Sequence, residues 1–124
     1  MNHRFRWALA ANAALMLASV LFFWGAPIII CIMPALHILL FVLNSRAAET
    51  WKQVFLLGLA HIVATFVTHM LSSQLYFFFI CDDTVGRAIS SGLCLIGVVW
   101  TTVLFVVMLV RFWFFKKREA LQNE

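Results

Sequence analysis

Charge is the scarcest property of this chain. Only 11% of its 124 residues are Asp, Glu, Lys or Arg, against about 25% in soluble domains. A small fold leaves much of its surface in water, and that surface needs polar cover this sequence does not have. A water-facing globule is excluded. Disorder is excluded as well, because disordered segments are poor in aromatic and branched apolar residues. Here 65% of residues are hydrophobic, with 13 Phe and 5 Trp.

Further absences narrow the chemistry. The three cysteines, Cys31, Cys81 and Cys94, form no Cys-x-x-Cys pair, so quinone-linked dithiol exchange has no motif to work with. A disulfide from Cys81 to Cys31 or Cys94 is chemically allowed outside a bacterial cytoplasm. The favoured reading is three buried, apolar-like thiols. No Gly-rich phosphate loop, nucleophile–base set or carboxylate pair occurs, so the chain is not expected to be an enzyme. Internal repeats, low-complexity tracts and linkers are also missing, and residues 1–124 read as one domain.

What is present is a set of long apolar runs. A bilayer core about 30 Å thick takes roughly 20 apolar residues per helix. Four segments qualify, at about 7–24, 28–43, 54–79 and 88–115, followed by a short basic tail at 116–124. Gly25-Ala26-Pro27 separates the first two. One unbroken helix to residue 43 would be far too long for a bilayer, so these residues read as a tight hairpin. The polar stretch Asn44 to Lys52 reads as the second connection, and Cys81 to Arg87 as the third. The expected fold is an all-α integral membrane protein, with four transmembrane helices in an antiparallel bundle.

Lys and Arg set the orientation. Arg4, Arg6, Arg46, Lys52, Arg111, Lys116, Lys117 and Arg118 fall on one side of such a bundle, and Arg87 alone falls on the other. Both termini are therefore expected in the cytoplasm, with the protein a multi-pass resident of a bacterial-type inner membrane. The net charge of +4 is accounted for by this asymmetry and by anionic lipid, without a nucleic-acid partner. Trp7, Trp51 and Phe112 to Phe115 would mark the cytoplasmic boundary, and Phe22 to Trp24 with Tyr76 to Phe79 the outer one. Arg4, Arg6 and the Ala-rich run after them also resemble a signal peptide. The length of the apolar stretch and the poor cleavage site before Pro27 favour a retained helix.

Lipid offers no hydrophobic drive for helix association, so small residues mark candidate contacts. Ala10, Ala14 and Ala18 recur at four-residue spacing on helix 1, with Gly97 and Thr101 on helix 4. The helix 1 stripe is the one expected to face another protein. Polar side chains at bilayer depth are costly and usually turn inward. They are Asn12, Ser19, His37, His61, Thr65, Thr68, His69, Ser72, Ser73, Gln74, Thr101 and Thr102. His61, Thr65, Thr68 and Ser72 follow the spacing of a single helical face. His37 and His61 each lie 12 residues from Glu49, so on antiparallel helices they should stand level, roughly 10 Å inside the boundary.

A level histidine pair admits three uses: ligating haem iron or a metal, relaying a proton, or fastening two helices by hydrogen bonds. The fastening reading is favoured, since no third ligand follows from the spacing, and no resident cofactor is expected. Asp82 and Asp83 read as loop residues rather than a cation site. In length and span number the chain is similar to small multidrug exporters, fluoride channels and lipid-linked sugar flippase subunits. Their signature residues are missing: where the exporters carry a buried glutamate, helix 1 has only Asn12. The expected function is a non-enzymatic accessory, assembly or immunity subunit, partnered by another membrane protein or by itself. A homo-oligomeric transporter or channel lined by Asn12, Thr65, Thr68 and Thr101 is the alternative, and a redox protein using His37 and His61 is the third.

Overall fold

The computed structural model describes residues 2–22, 26–79 and 84–122. Four helices account for almost all of them: α1 His3–Phe22, α2 Ala26–Ala47, α3 Trp51–Phe79 and α4 Thr84–Gln122. The helices overrun the apolar runs because hydropathy sets where lipid can lie, whereas the backbone ladder continues until something breaks it. α4 has 39 residues and is about 58 Å long at 1.5 Å per residue. It carries its helix through the basic segment to Gln122.

The connection expected from Asn44 to Lys52 is much shorter in the structure. α2 continues to Ala47, and Ala48-Glu49-Thr50 alone joins it to α3. Thr50 starts α3 by accepting the Gln53 backbone N–H on its Oγ1 at 3.3 Å. The Gln53 side chain in turn accepts the Glu49 backbone N–H at 2.8 Å. The first bond satisfies an open donor of the helix N-terminus, and the second ties the preceding residue to the first turn, a variant of the capping box.

The bundle is rhombic rather than square. α3 packs extensively on both α1 and α4; α2 leans on α1 and touches α3 and α4 more lightly; α1 and α4 make no close approach among the described residues. α2 and α3, consecutive in the chain, therefore meet across the short diagonal. Their directions follow from the packed side chains. Phe5 and Ala8 sit with Ala47 and Leu57 near one end. Leu15 sits with Met33, Leu40 and Ala64 further along, so α1 runs with α3 and against α2. Val54 packs on Met108 and Phe112, whereas His69 lies beside Gly97, so α4 runs against α3.

Many apolar side chains are turned outward, and several polar ones share the interior with the apolar core. Leu17 is 74% exposed, and Leu95, Ile96, Val99 and Val103 on α4 are also exposed, while Asn12 is 1% exposed. Among the described residues, the segments Trp51–Ser72 and Thr84–Gln122 are long and apolar enough to cross a membrane, and Met33–Ala47 is a shorter apolar helix.

Candidate functional site: a buried column of polar side chains

α1 buries Phe5, Ala8, Asn12 and Leu15, one face at helical spacing. α2 buries Leu40, Asn44 and Ala47 on the His37 face, and α3 buries Leu57, His61, Ala64, Thr65 and Thr68. Polar groups from three helices thus share one axis, and α4 adds Thr101, fully buried. From Asn44 to His37 and from His61 to His69 the column extends over about 22 Å along the bundle.

At its first level Asn12 Nδ2 donates to Asn44 Oδ1 at 2.9 Å and to the Ala8 carbonyl at 2.7 Å. Asn44 Nδ2 approaches Asn12 Oδ1 at 3.5 Å. Asn44 corrects the sequence expectation, which put it in the connection. It lies seven residues after His37, on the same face, and its side chain has Asn12 as partner. That spacing was a usable signal.

At the second level His37 Nδ1 and His61 Nε2 are 3.0 Å apart, with ring centroids at 5.2 Å and planes inclined by 35°. One ring must donate and the other accept, so their tautomers are linked. Iron held in line between two imidazoles would need nitrogens about two metal–nitrogen bonds apart, near 4 Å. The observed separation is that of a direct hydrogen bond. Among the described residues no group of three or more His, Cys, Asp or Glu side chains is gathered to hold a metal ion.

Above the pair, Thr65 Oγ1 donates to the His61 carbonyl at 2.8 Å. His37 Nε2 and Thr68 Oγ1 are buried without a hydrogen-bond partner. Two orphaned polar atoms in a bundle interior are costly unless water reaches them. Thr101 Oγ1 donates to the Gly97 carbonyl at 3.0 Å and lies 3.1 Å from the Val98 carbonyl. Thr102 donates to Val98 from an exposed position.

His69 does not join the histidine pair. It packs on α4, where a Cβ built on Gly97 would lie 2.8 Å from its Nε2. Gly97 is thus the glycine that lets His69 approach. A second such contact gave no sequence signal: a Cβ on Gly58 would overlap the Phe105 ring. Ser72 is half-buried, and Cys94 is buried as a free thiol. Ala10 and Ala14 are exposed and Ala18 is half-buried. Gly25, Cys81, Asp82 and Asp83 lie outside the described residues, as do the side chains of Ser19, Cys31, Ser73 and Gln74.

The fold and this column define an all-helical protein with lipid-compatible side chains outside and hydrogen-bonding ones inside. No family model matches the chain, and neither does any curated protein or solved structure.

Proposed function

We propose that the chain is a four-span inner-membrane protein with both termini in the cytoplasm. In this reading it acts without catalysis, as an accessory, assembly or immunity subunit of a larger membrane complex. The observation that carries the reading is the division of α1 into two faces. Its inward face holds Phe5, Ala8, Asn12 and Leu15. Ala10 and Ala14 lie roughly opposite at 100° per residue, exposed between the exposed side chains of Trp7 and Leu17. A stripe of small residues lets a second helix approach closely, which is how helices associate where the solvent is lipid. In α1 that stripe is turned away from the chain's own core.

Two observations support the membrane reading and its orientation. The outward apolar surface suits lipid, and Arg4, Arg46, Arg111 and Lys116 gather at one end of the bundle, as the asymmetry of basic residues requires.

The test replaces Ala10 and Ala14 with Leu in the tagged full-length protein, extracted gently from its own membrane. Native mass spectrometry is expected to show a stoichiometric partner with the parent chain and its loss in the variant. Helicity should be unchanged, because neither position touches the core. A complex unaffected by both substitutions would refute the reading. The runner-up, conduction through the chain's own interior, draws on the orphaned His37 Nε2 and Thr68 Oγ1. Solute flux in liposomes containing only this protein would favour it instead.

A further inference from the structure

The end of the bundle where α1 begins and α2 closes contains a cavity of about 410 Å³. All four helices and the connection between α2 and α3 line it. Arg4 comes from α1, Ser45 and Arg46 from the last turn of α2, and Arg111 and Lys116 from α4. Two carboxylates, Glu49 and Glu119, also face it.

One of those carboxylates is offset by a cation, and the other, Glu49, keeps its charge against three guanidinium groups. Glu119 is held by Lys116 at 2.7 Å, and Glu49 accepts a hydrogen bond from the Asn2 side chain. Lys116 also stands 5.9 Å from the Phe112 ring centroid. The guanidinium groups of Arg4, Arg46 and Arg111 make no ion pair or hydrogen bond among the described residues. Ser45 Oγ is buried there without a partner. Three unpaired planar cations and an orphaned hydroxyl around one cavity form a receptor for an oxyanion. Arg forks match phosphate oxygens in pairs, and a hydroxyl adds a further donor.

The remaining lining distinguishes a lipid phosphate from a soluble one. Val54, Met108 and Phe112, which pack together, and Phe115 give the lining an apolar part, and Trp51 stacks edge-on against Phe112 with centroids 4.9 Å apart. A soluble phosphate would be solvated on that side, whereas a phospholipid would lay its glycerol and first acyl carbons there. Resting on the four-span reading above, we infer that this cavity binds the headgroup phosphate of one anionic phospholipid. Arg4, Arg46, Arg111 and Ser45 are its ligands, and the apolar part of the lining takes the start of an acyl chain.

The experiment places the full-length protein in nanodiscs of phosphatidylcholine mixed with phosphatidylglycerol and counts retained lipids by native mass spectrometry. One phosphatidylglycerol per chain is expected. Arg46→Gln and Arg111→Gln should each weaken its retention about tenfold or more, since each removes a charge-assisted hydrogen bond to the phosphate. Ser45→Ala should weaken it with no change of charge. Arg118→Gln, outside the cavity, should leave it unaltered and serves as the control. Equal retention of both lipids, or an equal loss in Arg118→Gln, would overturn the site and reduce it to general surface attraction. Displacement by millimolar inorganic phosphate, with no lipid preference, would overturn the lipid assignment. Release of the protein from native membranes by alkaline carbonate would refute the membrane reading itself, a separate outcome from the loss of lipid preference.

Discussion

The Asn12–Asn44 pair gives the most direct test of whether hydrogen bonds hold this bundle together, because its two members are not equivalent. Leu has nearly the shape of Asn, so Asn→Leu removes hydrogen bonding without opening a cavity. Asn12→Leu leaves the Asn44 amide buried at 1% exposure with no partner, at an expected cost of about 1–3 kcal/mol. Asn44→Leu is milder, because Asn12 Nδ2 keeps its 2.7 Å bond to the Ala8 carbonyl; about 1 kcal/mol is expected. In the double variant no amide is stranded. Its cost should fall below the sum of the singles by about 0.6 kcal/mol, the average for hydrogen bonds between membrane helices, and by no more than about 1.7 kcal/mol. Unfolding in mixed micelles of rising dodecyl sulfate fraction, followed by Trp fluorescence, measures all four proteins. Additive costs, or Asn44→Leu costing as much as Asn12→Leu, would refute the pairing.

Gly58→Ala should destabilise by about 1–3 kcal/mol despite the better helix propensity of Ala, because the new methyl overlaps the Phe105 ring. Adding Phe105→Leu should recover much of this loss in the same unfolding assay. His61→Ala leaves both His37 ring nitrogens unpartnered and should cost about 1–3 kcal/mol. A purified protein whose Soret absorption vanished with this substitution would instead make the pair a haem site. In a cysteine-free background, a cysteine at Gln122 should react with a membrane-impermeant maleimide only from the cytoplasmic side, and one at Asp83 only from the other. Labelling of both from one side would refute the crossing of α4, which alone separates the two positions.

The sequence alone carried the all-helical character, because runs of this length and polarity have no other way to satisfy their backbone. It also brought His37 and His61 level, since equal distances from a short connection on antiparallel helices are matters of rise per residue. It did not carry which helix faces meet. In water a helix announces its buried side by the contrast between apolar core and polar solvent. In a helix whose surroundings and core are equally apolar, that contrast disappears, and the pattern of Leu, Val and Phe along α3 and α4 says little about direction. Only packing could decide that α2 and α3 meet on the short diagonal and that Asn44 leaves the connection to join Asn12. The same holds for the Gly58 seat of Phe105. The cavity lined by Arg4, Arg46 and Arg111 belongs to the same class. Composition places basic residues at one end, but their convergence on a single cavity depends on how α1, α2 and α4 pack there.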